Sequence, residues 1–231
     1  MKSLTIYNCT NFNITDSVSI LEETKTDNTN ENAGSISPNG SSLIISSKTF
    51  LPFSCVYNVK VKHDILAWIN GAYQPAPIYK EANSFPAFFC NDNNLLIIVA
   101  PTPIAKGFTE ALKATYPDKV NISGPLNFDF NKIKTFEKHA KGLYFAVDED
   151  TITSKHFFGT GVETDDEAAD AIDNEKATYL IANIDVLGKS RTIGFSKKGA
   201  LVLYSKPSDI DKERPYLELA IETLLTTQSL K

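Results

Sequence analysis

The chain has 231 residues, 42% of them hydrophobic, which is enough to bury a sizeable core as one large domain or two small ones. Its formal net charge of −5 and pI near 5.3 exclude a global positive field of the kind that condenses onto a nucleic-acid backbone or an anionic membrane. No stretch approaches the roughly 18 uninterrupted apolar residues of a membrane-spanning helix, and residues 1–17 turn polar too soon for a secretory leader, so a cytoplasmic location is expected.

In chain order, SLTIYNCTNFNI has β-favouring composition and predicts an opening strand. Residues 25–42, KTDNTNENAGSISPNGSS, hold almost nothing apolar to offset an ordering cost of about 1–2 kcal/mol per residue, and predict a mobile Asn/Ser-rich loop. SLIIS and CVYNVKVKH resume β character. The following segment places Trp68, Tyr73 and Tyr79 near Lys60, Lys62, Pro75 and Pro77, a mixture that suits a protein-contact loop, base stacking or core filling. Trp68, Tyr73 and Tyr79 are the candidate partner-binding residues.

PAFFCN and NLLIIVA, joined by DNN, predict a hairpin whose second arm is buried on both faces. In PTPIAKGFTEALKATYPDK, the apolar residues Ile104, Phe108, Ala111, Leu112 and Tyr116 keep helical spacing until Pro117 stops them. A Gly-Pro break at 124–125 marks a boundary between a β-rich lobe, 1–124, and an α+β lobe, 125–231. DFNKIKTFEKHAKG, with Phe130, Ile133, Phe136 and Ala140 at helical spacing and Gly142 at its end, predicts a basic amphipathic helix, and LYFAVDED a strand ending in charge. TYLIANIDV, RTIGFS and ALVLYSK predict a three-stranded antiparallel meander, which the amphipathic segment PYLELAIETLLTTQ closes as a terminal helix. The expected fold class is therefore α+β: an N-terminal β-rich lobe, central helices and a C-terminal meander.

Several patterns resemble sites and are explained without chemistry. In KHFFGTGVETDDEAADAIDNEKATY, Thr164 and Glu167 have capping-box spacing, and Asp165, Asp166 and Glu167 fall where a helix N-terminus favours negative charge. Asp166, Asp170 and Asp173 share one helix face, the solvated one, because Ala168, Ala169 and Ile172 occupy the other. Gly159 and Gly161 lack the third glycine and the Lys-Ser/Thr of phosphate loops. His63-Asp64 lacks the further histidines of a metal phosphohydrolase, and Asp16 with Glu23 and Lys25 forms only a short nuclease-like pattern. Cys9, Cys55 and Cys90 are widely spaced among apolar neighbours, which suits reduced thiols and no zinc site.

No convergent catalytic set emerges, and neither a cofactor nor a metal is expected. The leading expectation is a non-enzymatic interaction protein acting through a protein partner or self-association. An alternative is a nucleic-acid-binding accessory protein using Lys132, Lys134, Lys138 and Lys141 on the basic helix with Lys197 and Lys198 at a meander turn. A further alternative is a metal-dependent hydrolase or nuclease using Asp148, Glu149, Asp150 and Glu163 with His156.

Overall fold

The computed structural model describes residues 1–23, 30–147 and 151–230. Among the described residues, thirteen strands, paired antiparallel throughout, form one sheet. They are β1 (Lys2–Phe12), β2 (Val18–Glu23), β3 (Asn30–Pro38), β4 (Leu43–Ile45), β5 (Lys48–Ile69), β6 (Ala72–Cys90), β7 (Leu95–Ile98), β8 (Val120–Pro125), β9 (Glu137–Ala146), β10 (Ser154–Phe158), β11 (Ala177–Val186), β12 (Lys189–Ser196) and β13 (Ala200–Leu203). The helices are α1 (Thr102–Thr115), α2 (Phe130–Lys134), α3 (Asp166–Asp173) and α4 (Pro215–Thr226). The path across the sheet is β10-β9-β11-β12-β13-β1-β7-β6-β5-β3-β2, with β4 added to β5 and β8 to β1.

This overturns the α+β expectation. Strand accounts for 53% of the described residues and helix for 19%, and the helices cover a sheet rather than form a central layer. The meander strands β11, β12 and β13 do pair in order, but β11 continues to β9 and β13 to β1, so they are the middle of the large sheet and not a separate one. The predicted boundary at 124–125 falls inside β8.

The centre of the sheet is covered on both faces. On β7, Leu95 and Ile97 enter one core while Leu96 and Ile98 enter the other, and on β1 Leu4 and Ile6 face the first while Tyr7 and Cys9 face the second. Period-2 alternation sends neighbours to opposite faces, so an unbroken apolar run is what a doubly buried strand requires. The first core is closed by α2, α3 and α4, with Leu217, Ala220, Ile221 and Leu224 of α4 buried in it. The second is closed by Ala105, Phe108, Ala111 and Leu112 of α1.

The predicted basic helix at 129–142 forms only at its start. α2 ends at Lys134, and residues 137–146 are strand β9, held between β10 and β11. Ala140, Leu143 and Phe145 all face the first core despite their uneven spacing, because the register with β11 shifts around Lys141 and a bulge resets which side faces inward. The predicted loop at 25–42 is also corrected over 30–38, which is β3; residues 25–29 lie outside the described residues. Gly34 makes this possible, since a Cβ there would stand 2.0 Å from the Val56 carbonyl oxygen of β5.

The outer edge of β2 is covered by the end of α1: Thr115 Oγ1 accepts from the Leu21 N–H at 3.1 Å, and the Tyr116 hydroxyl donates to Ser19 O at 2.9 Å. An edge strand satisfied by side chains offers fewer backbone groups to another chain. No helix among the described residues is long and apolar enough to cross a membrane.

Candidate functional site

The distal half of the β5–β6 hairpin is the most unusual surface of the molecule. Near the base, β3 flanks β5 at Phe53–Tyr57 and β7 flanks β6 at Ala87–Cys90. The last ties to the body are ionic and polar: Lys80 Nζ stands 2.6 Å from Glu31 Oε2 and 3.0 Å from Asn32 O, and Lys60 Nζ is 4.0 Å from the same Glu31 oxygen. Beyond Lys60 and Lys80, which pair with each other, β5 and β6 continue as a two-stranded arm to a turn at Asn70-Gly71. Residues 61–69 at about 3.3 Å each make it about 30 Å long.

The turn is built by sequence. Asn70 and Gly71 have φ of 52° and 82°, the left-handed pair that a two-residue type I′ connection demands and that Asn-Gly tolerates best. Trp68 and Tyr73 face each other directly behind it, rings edge-to-face with centroids 4.8 Å apart. Leu66 opposite Pro75 continues that face; Ile65, Ala67 and Ile69 lie on the other, opposite Ala76, Gln74 and Ala72.

Both faces are apolar and both are exposed. Leu66, Trp68 and Tyr73 keep 66%, 64% and 69% of their surface in solvent, and Ile69 and Ile78 are exposed as well. No charged residue occurs from Ile65 to Tyr79. Exposed ribbons normally carry charge to prevent pairing with other chains, and an isolated two-stranded ribbon is marginal in water. Of the three aromatic candidates, the structure brings Trp68 and Tyr73 together at the tip. Tyr79, opposite Val61 near the base, lies about 20 Å further down the same strand.

The six candidate lysines come from α2, β9 and the β12–β13 turn, and several are engaged by near neighbours. Lys132 donates to Gln228 O at 3.2 Å from α2, Lys134 pairs with Asp173 at 3.9 Å, and Lys138 on β9 pairs with Asp185 at 2.5 Å. Lys141 sits at the bulge of β9, Lys197 donates to Glu175 O at 2.5 Å, and Lys198 occupies the β12–β13 turn.

The acidic stretch forms the expected strand, turn and helix with a different cap. Asp165, not Thr164, accepts from the N–H groups of Glu167 and Ala168, and Glu167 pairs with Lys155 at 2.6 Å. Thr164 donates instead to Gly161 O at 2.7 Å. Asp148, Glu149 and Asp150 lie outside the described residues. Glu163 Oε2 accepts from Ala140 N at 2.8 Å, and His156 lies on β10 against the ring of Tyr144, so these two serve different neighbours. His63 and Asp64 lie in a bulge of the arm opposite Pro77. Among the described residues, no group of three or more His, Cys, Asp or Glu is placed to hold a metal.

The three cysteines are buried and free, and burial pushes the Cys9 thiol up to about 11 and Cys55 higher still, which leaves them protonated and poorly nucleophilic at neutral pH. Two features were invisible in the sequence. One is a half-buried carboxylate, Glu137, whose two oxygens have no hydrogen-bond partner. The other is a row of rings on the uncovered face of β10, β9 and β11: Phe158 and His156 beside Tyr144, Tyr144 beside Tyr179, and the Tyr179 and Tyr204 hydroxyls 3.0 Å apart.

No protein-family model matches this chain, and no curated protein matches it in sequence.

Proposed function

We propose that the protein is an interaction protein of the cytosol that assembles with a second copy of itself through the β5–β6 arm. The observation that carries this is the arm's uncharged, doubly exposed apolar surface from Ile65 to Tyr79. Such a surface must be covered whenever the chain is folded, and another copy of the same chain is the cover always present in proportion. Area argues for mutual grasping over simple stacking. A ribbon about 30 Å long and 10 Å wide offers about 300 Å² per face, so stacking two arms face to face buries about 600 Å² in total, short of a stable interface. Exchange, in which each arm is gripped on both faces by the other copy, buries about 2,400 Å², within the range of permanent dimers. Three buried free thiols suit a reducing compartment.

Light scattering across a range of protein concentrations tests this. The wild-type chain is expected at twice the monomer mass. A variant in which residues 61–79 are replaced by Asn-Gly, joining the paired Lys60 and Lys80 through the same kind of turn, is expected to be monomeric and folded. Trp68→Ser with Tyr73→Ser should weaken the dimer at least about tenfold, since central aromatic anchors carry most interface energy. A wild-type monomer at every concentration defeats self-assembly, and a dimer untouched by removing the arm places the interface elsewhere.

A second reading, single-stranded nucleic-acid binding, has one observation in its favour: rings arrayed across an open antiparallel face offer stacking sites for bases. It requires that Tyr144→Ala weaken binding of a mixed-sequence oligonucleotide and that binding fall steeply with salt. A flat salt response removes it.

A further inference from the structure

A cavity of about 300 Å³ opens where α1, β8, β1 and the β12–β13 turn meet, apart from the arm. Four segments distant in sequence build it. Lys106, Thr109 and Lys113 come from one face of α1 by helical spacing, Ile122 from β8, Tyr7 from β1, and Lys198 from the turn.

Its floor is neutral and its rim is cationic. Tyr7 and Ile122 are buried, and burial raises the Tyr7 phenol above its ordinary value, so it stays uncharged. Thr109, fully buried, already donates its hydroxyl hydrogen to Lys106 O at 3.0 Å. The rim holds three lysines against one acid. Glu110 is engaged by Lys106 at 3.8 Å, which leaves Lys113 and Lys198 with no ion-pair partner among the described residues. In a chain of net charge −5, a concave site with a positive excess concentrates anions.

The position of Lys198 is set in advance. Its neighbour Gly199 has φ of 73°, its carbonyl accepts from Ile6 N at 2.9 Å, and a Cβ on it would lie 2.7 Å from Ile6 O and 2.8 Å from Pro125. Only glycine fits under β1 there, so the turn that presents Lys198 is pinned to the sheet. Lysine ammonium groups are compact point charges, suited to a tetrahedral phosphate more than to bidentate recognition of a planar carboxylate.

We propose that this cavity binds a small organic phosphate monoester, with the phosphate at the lysine rim and an apolar body against Tyr7 and Ile122. A site of this size with an apolar floor and few polar groups has the character of a small-molecule pocket.

Titration calorimetry with phenyl phosphate, inorganic phosphate and phenol tests both halves of the site. Phenyl phosphate is expected to bind at least about tenfold more tightly than either of the others. The Lys113→Ala/Lys198→Ala double variant, in which neither side chain is part of a core, is expected to lose at least about tenfold in affinity while melting as the wild type does. No heat up to about 10 mM phenyl phosphate overturns the proposal. Undiminished binding by the double variant overturns it also, and equal affinity for inorganic phosphate reduces the cavity to a non-selective anion contact.

Discussion

Leu96→Ala and Ile97→Ala will each destabilise the fold by about 2–5 kcal/mol, although the two residues are adjacent on one strand. Both are fully buried, but Leu96 packs in the core under α1 and Ile97 in the core under α2, α3 and α4. In a sheet buried on one side, one of two consecutive positions faces solvent and its truncation costs little. Here each truncation leaves a cavity among neighbours that cannot close it. Urea unfolding of both variants at one protein concentration reads the costs. A loss under about 1 kcal/mol at either position would mean that one face of β7 is not packed as described. The double variant should be close to additive, since the two side chains share no core.

Replacing Glu137 by Gln is expected to stabilise the protein at pH 8 and to leave it unchanged at pH 4. Burial, reinforced by the nearby Glu163 charge and opposed by Lys134, pushes the Glu137 carboxyl from 4.5 up to about 7. The folded state therefore holds a proton that the unfolded state releases between those values. Stability from this group is complete below pH 4.5 and is lost as pH rises to about 7, after which the deficit is constant. The shift corresponds to about 3 kcal/mol at most, and solvent screening of a side chain this exposed reduces it to about 1–2 kcal/mol. Glutamine imitates the protonated acid and does not titrate. Urea midpoints at the two pH values should therefore converge in Glu137→Gln, and an unchanged pH difference would assign the effect to another group.

The arm shows how a strong local signal is missed. Asn70-Gly71 between apolar runs is a hairpin signature, yet the flanking residues lack the polar alternation by which strands are recognised, and Pro75 and Pro77 argue for a loop. Alternation is lacking because apolar residues occupy both faces of the arm, Trp68 and Tyr73 on one and Ile65 and Ile69 on the other. The second part of β9 is legible in LYFA, but its first part, 137–142, is not, because its bulge spaces Ala140, Leu143 and Phe145 unevenly, and Phe136 and Ala140 continue the helical spacing of Phe130 and Ile133 in α2. β3 is not legible as a strand because its sequence, NENAGSISP, is polar and has only Ala33 and Ile36 to bury. The candidate lysines are legible as residues, but the pairing of Lys134 and Lys138 with acids is not, because Asp173 and Asp185 come from α3 and β11.

The sequence by itself determined the elements whose burial pattern is local and regular. These are the doubly buried β7, the amphipathic helices α1 and α4, the three strands β11 to β13, and the strand, turn and helix of the acidic stretch. Only the tertiary structure decided that β1 lies between β7 and β13 and fuses two halves into one sheet, that Lys198 meets α1 across a cavity, and that β5 and β6 run on past their last neighbours as a free arm. The physical reason is that periodicity records which side chains leave water, whereas the choice of strand neighbour rests on contacts between residues far apart in the chain, which no local pattern encodes.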